Sequence, residues 1–110
     1  MKLKLLAALA LLPLAACAKR PDAIVPADIP MAAYQNDGCQ QLSTNLAKEK
    51  ATLHALSQKQ NDAANGDAFG VFLIGVPITS LAGGDKEGDI AVSKGKVTAI
   101  ESAMHSKKCG

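Results

Sequence analysis

The chain has no Trp, one Tyr and only two Phe. That scarcity excludes a large jigsaw core, because aromatic side chains supply the biggest units of buried apolar area. No Gly-x-x-x-x-Gly-Lys-Ser/Thr phosphate loop occurs, so nucleotide chemistry has no support. No Gly-x-Ser-x-Gly elbow is present either. Ser102 and His105 stand three apart on a helical pattern, which is a frequent coincidence. No basic stripe interleaved with aromatics exists, and this excludes nucleic acid as a partner. No residue from Ala68 to Gly84 carries a charge.

What is present begins with Lys2 and Lys4, followed by an apolar run from Leu5 to Leu14. The run is shorter than the roughly 20 residues a spanning helix needs. It ends in Leu14-Ala15-Ala16-Cys17, which resembles the lipobox of bacterial lipoproteins. In that class the chain is cut before the cysteine, whose sulfur carries diacylglycerol and whose new amine is acylated, commonly with palmitate. Several acyl chains anchor stably where one is marginal. Residues 1–16 are therefore expected to be a signal peptide and Cys17 the lipidation site. A plain signal peptide cut near Ala16 or Ala18 is the alternative. Ala18, where Asp would favour inner-membrane retention, directs the protein towards the periplasmic face of the outer membrane. With Lys2 and Lys4 removed, the other Lys and Arg balance the 10 Asp and Glu. What remains is one small domain, of a size that often needs a staple.

Cys39 and Cys109 are the remaining cysteines. In an oxidising envelope an even pair reads as a disulfide. Closing a loop of roughly 70 residues stabilises by about 4 kcal/mol in the chain-entropy model. Metal binding competes with this, since His105 and Cys109 share a helix face and Cys39 would add a third ligand. His54, if it shares a helix with Cys39, lies about 22 Å from it and is out of reach. No metal or other cofactor is expected.

Pro21, Pro26 and Pro30 mark residues 17–35 as a flexible, lipid-anchored tether. At about 3.1 Å per residue it would reach up to about 50 Å. Asp37, with Gln40 three residues on, predicts a capped helix start. Cys39, Leu42, Leu46, Leu53, Leu56 and Ala63 then form a heptad-spaced seam, interrupted at Glu49 and Gln60. Ala47, Ala51 and Ala55 make a second stripe. A second helix is predicted from Asp85 or Glu87 to Lys108, with Ile90, Val97, Ile100 and Met104 as its seam. Ala91, Gly95, Ala99 and Ala103 form a small-residue row on it that allows close antiparallel packing. Pairing Cys39 with Cys109 sets Asp62 opposite Lys86 and the apex at Ile74, beside the breaker Gly75-Val76-Pro77. The predicted fold is all-α: an antiparallel helical hairpin over residues 36–110, closed by a disulfide at the lipid-proximal end. Its apolar tip, about residues 66–84, lies at the other end.

The tip touches the lower limit for a membrane span, but Pro77, Gly83 and Gly84 interrupt it. Gly66-x-x-x-Gly70 permits close helix approach. The tip reads either as a buried, glycine-packed hairpin end or self-association surface, or as one that enters a bilayer or a groove on a membrane protein. Two helices alone cannot cover such a patch, so something else should. Phe69, Phe72, Leu73 and Ile74 are the expected contact residues. Gln58 and Gln60 read as ordinary surface residues, and Asp62 and Asp67 as solvated or capping ones. Ser80-Leu81-Ala82-Gly83-Gly84-Asp85 is similar to the Leu-Ser-Gly-Gly-Gln signature of transporter ATPases. Without a phosphate loop it reads as a glycine turn before an Asp cap.

Taken together, Tyr34, Cys39-x-x-Leu42, Gln60, Asp67, Gly75-Val76-Pro77, Ser80-Leu81-x-Gly83-Gly84-Asp85, Ile90-Ala91, Lys94-Gly95, Ala99 and Cys109 carry a likeness. Over Tyr34 to Cys109 the chain resembles a family of small, uncharacterised proteobacterial lipoproteins. Lys96 departs from that pattern, where Glu is usual. The resemblance implies a lipoprotein with a cysteine at each end of its domain and no catalytic residue. The expected function is non-catalytic: a structural or adaptor role at the membrane, with an envelope protein or a second copy as partner. An accessory subunit of an envelope ABC-type transporter is the alternative, and a small enzyme or metal binder a more distant one.

Overall fold

Gly38, in extended backbone, opens the long helix α1 (Cys39–Ile74), and its carbonyl accepts the Leu42 N–H at 2.9 Å. The structure is a computed structural model and describes residues 17–110. The expected signal peptide and the Leu14-Ala15-Ala16 part of the lipobox lie outside them. A short helix α2 (Ile78–Leu81) and a second long helix α3 (Glu87–Ser106) follow α1, and two 3-10 turns, η1 (Pro21–Ala23) and η2 (Met31–Tyr34), precede it. No strand occurs among the described residues. The fold is the expected all-α hairpin, with α1 packed on α3. A disulfide joins Cys39 to Cys109 with a Cα–Cα distance of 5.5 Å.

Both ends of α1 follow from local chemistry. The helix starts one residue later than the capping pattern predicts. Gly38, not Asp37, is the cap, and no side chain bonds the free amides. Asp37 stands one position too early, and its carbonyl instead accepts Lys107 Nζ at 2.6 Å. At the far end Ile74 is the last helical residue. Gly75 takes a left-handed φ of 79° and returns its N–H to the Gly70 and Val71 carbonyls. The apex lies where the breaker places it.

The register slips. Gln60, not Asp62, meets Lys86, and Glu49 accepts from Ser93 at 2.8 Å where level pairing would place Ala99. The cause lies beside the disulfide. The helix stops at Ser106, Lys108 turns left-handed at φ 57°, and the Cys109 N–H returns to the Met104 carbonyl. Those last residues curl back without advancing by helical rise, so counting from Cys109 overshoots. Ala47, Ala51 and Ala55 are exposed, while Gly95, Ala99 and Ala103 of α3 are buried. The core near the disulfide is Leu42, Ile100 and Ala103, flanked by Tyr34, Leu46 and Met104.

The expected flexible tether is instead a docked strap. Ala18 and Ile24 are buried. The Ala27 N–H reaches the Ala91 carbonyl at 2.8 Å, and Lys94 Nζ donates to the carbonyls of Pro21 and, at 2.8 Å, Ile24. Lys107 Nζ closes the strap's far end on the Gln35 carbonyl at 2.7 Å. The strap crosses α3 where Gly95 lets backbone meet helix. A Cβ there would collide with the Ala27 carbonyl oxygen and come within 2.7 Å of Ile29. Gly95→Ala is expected to lower unfolding free energy by about 1–3 kcal/mol. It should also speed hydrogen exchange at Ala27. Unchanged exchange at that amide would refute strap docking.

Candidate functional site

The strap also overturns the expected polarity of the hairpin. Ala18 is fastened to α1 close to the tip, so Cys17 lies at the apolar end and the disulfide at the opposite one. Two features meet there: a buried polar clamp and an open apolar surface.

The clamp is built on two polar residues of α1 that belong to its inner face. Asp67 is completely buried. Its Oδ2 accepts the Ala18 N–H at 2.7 Å and the Ser80 hydroxyl, and its Oδ1 accepts the Ser80 N–H at 2.7 Å. Burial alone would push this carboxyl up. The hydrogen bonds from Ser80, Ala18 and Thr79 outweigh it and hold the group below its ordinary value. Two turns earlier lies Gln60, also completely buried. Its Nε2 donates to the Lys19 carbonyl at 2.8 Å and to Asp85 Oδ1 at 2.9 Å, and its Oε1 accepts the Lys86 N–H at 2.6 Å. Asp85 Oδ1 also accepts the Glu87 N–H at 3.0 Å, which starts α3. Lys19 pairs with Glu87 at 3.0 Å on the outside.

The motif residues thus have a structural explanation. Gln60, Asp67, Ser80 and Asp85 tie three chain segments together: the strap, α1 and the loop before α3. Among the described residues no buried side-chain N or O lacks a partner. Asp67 and Gln60 are not the solvated residues their sequence neighbourhood implies. The available signal was the interruption of the α1 seam at Gln60, where a polar residue occupies a core position.

Gly66 and Gly70 are filled from within the chain. A Cβ on Gly66 would strike Thr79, and one on Gly70 would lie 2.6 Å from the Val76 carbonyl oxygen. The small-residue motif seats the loop that carries α2, so this face of α1 is unavailable to a second helix.

From Ala68 to Gly84 the chain carries no charge, and its large apolar side chains are uncovered where α1 ends. Phe69, Phe72, Leu73 and Ile74 are exposed, Phe72 at 86%. Val76 and Ile78 extend the same surface. Phe72 and Val71, with Ala68, Cys17, Ala18 and Arg20, line an open hollow of about 470 Å³. A hollow of about 490 Å³ near the other end is lined by Met31, Glu101, Ser102 and His105 among others. It brings Ser102 and His105 to one wall. Among the described residues no three His, Cys, Asp or Glu are grouped to hold a metal ion. The disulfide removes Cys39 and Cys109 as thiolate ligands. No helix of the described residues is long and apolar enough to cross a membrane. No family model matches the chain, and no curated protein or solved structure is significantly similar to it.

Proposed function

We propose that this protein is a non-catalytic envelope lipoprotein with a structural or adaptor role, held at the membrane by acyl chains on Cys17. It acts from the periplasmic face of the outer membrane and makes its contact through Phe69, Phe72, Leu73 and Ile74. One observation carries the reading. Both phenylalanines of the chain, with Leu73 and Ile74, are displayed at the end of the molecule where Cys17 enters. Each gains about 1.5–3 kcal/mol when taken out of water, so a free tip is costly and a covered one favourable. The buried polar residues are all engaged within the chain, Asp67 and Gln60 fastening the strap and Ser93 tying α3 to α1, which is what a rigid non-catalytic module requires.

Cys17→Ala tests the anchor. The variant is expected to lose palmitate labelling and to move from the membrane fraction to the soluble one. If the variant kept both label and membrane attachment, the lipoprotein reading would fail.

A further inference from the structure

We infer that the apolar end enters the same bilayer leaflet that holds the acyl chains of Cys17, as a shallow, non-spanning wedge. The inference rests on the lipoprotein reading and adds the occupant of the tip. Its basis is the fastening of the strap. Ala18 donates its N–H to Asp67 at 2.7 Å, which leaves no slack between the lipidated residue and the folded domain. Cys17 and Phe72 line one hollow, so lipid attached at the Cys17 sulfur leaves the protein alongside Phe72, Val71 and Ala68. Between Asp67 and Ile74 the helix advances only about 10 Å. That matches the depth to which an interfacial apolar face sinks, about 5–10 Å.

Charge agrees with this placement. Ala68 to Gly84 carry none, and the flanking Asp67 is buried and fully hydrogen-bonded. Arg20 stands on the rim of the hollow, where anionic lipid would attract it, while the neighbouring Lys19 is neutralised by Glu87. A self-associating tip would hide Phe72 from lipid while acyl chains begin beside it. A small-residue contact between copies is unavailable, because Gly66 and Gly70 are occupied by the chain's own loop. With the tip in the leaflet, the disulfide stands away from the membrane by the stretch of α1 from Cys39 to Asp67, about 42 Å.

The absence of Trp makes the test clean. Full-length protein carrying Phe72→Trp, and separately Met31→Trp near the disulfide end, is purified from the membrane and reconstituted into phosphatidylethanolamine–phosphatidylglycerol vesicles. Brominated acyl chains serve as the quencher, and intact mass reports the lipid on Cys17. Phe72 is almost wholly exposed and Met31 partly so, on the wall of the open hollow near the disulfide, where an indole has room. Several-fold quenching at position 72 with none at position 31 is expected. Lipidated protein whose Phe72→Trp indole stays unquenched overturns the wedge and leaves the lipoprotein reading intact. A blue-shifted but unquenched indole does the same, and assigns the tip to a second copy. Equal quenching at both positions also overturns it, since the molecule would then lie flat. An intact mass without lipid overturns both readings.

Discussion

Removing the Cys39–Cys109 bond is expected to lower the unfolding free energy by about 2–4 kcal/mol. The bond closes a loop with a sequence separation of 70, and opening it returns that freedom to the unfolded chain. Besides the bond, that end is held by a small core and by Lys107 Nζ on the Gln35 and Asp37 carbonyls. Leu42, Ile100 and Ala103 form a narrow core, and α1 begins without a side-chain cap. Small domains are stable by only about 5–15 kcal/mol, so the loss is a large share. Urea unfolding of a Cys39→Ser, Cys109→Ser variant should match that of reduced wild type, and reductant should leave the variant unchanged. A wild-type curve insensitive to reductant would show that the bond does not form in the protein.

Asp67→Ala is expected to cost about 3–5 kcal/mol, because buried donors at Ala18 and Ser80 lose a charged acceptor at once. Unlike a change at the disulfide, it should release the strap. The amides from Ala18 to Ala27 are expected to exchange rapidly while those at the centre of α1 remain protected. Because the folded-state pKa of Asp67 lies below its ordinary 3.8, the carboxylate contributes stability above that value. The contribution fades as the pH falls through 3.8 towards the folded pKa. Asp67→Asn keeps one oxygen to accept a bond and has no proton to gain. It should therefore be milder at neutral pH and lose less on acidification. Equal acid sensitivity in wild type and Asp67→Asn would assign the effect to another group. The two ends lie far apart along α1, so the disulfide and Asp67 effects should add.

The hairpin was legible because its signals are local and periodic. The seam through Leu42 and the breaker at Gly75-Val76-Pro77 locate α1 and its end, and the cysteine pair closes the fold. The strap was not legible, because nothing in its own pattern says that it docks. Three prolines and few apolar residues describe a free segment equally well. It is held through its backbone, by Asp67, Gln60 and Lys94, which are distant in sequence. Its docking also reversed the expected polarity, since a free tether would let Cys17 sit at either end. The clamp was half legible. Gln60, Asp67, Ser80 and Asp85 stood out as motif residues, but their burial is set by tertiary contacts that periodicity does not encode. The register error has the same origin, in a C-terminal curl that helical counting cannot anticipate.

The strap's partners lie between 41 and 73 positions further along the chain. A polypeptide is made from its N-terminus at about 5–20 residues per second. Ala18 therefore waits seconds for Asp67, and Pro21 longer for Lys94. Until Gln60 and Asp67 are made, the first residues after Cys17 are a strand with no fastener, and the middle of the strap has none until Ala91 and Lys94 follow. If the protein is the lipoprotein proposed above, enzymes that cut before Cys17 or acylate it meet that strand before the clamp seats it in its hollow. On that reading the order of synthesis separates modification from folding in time, with α1 fastening the residues next to Cys17 and α3 the rest of the strap.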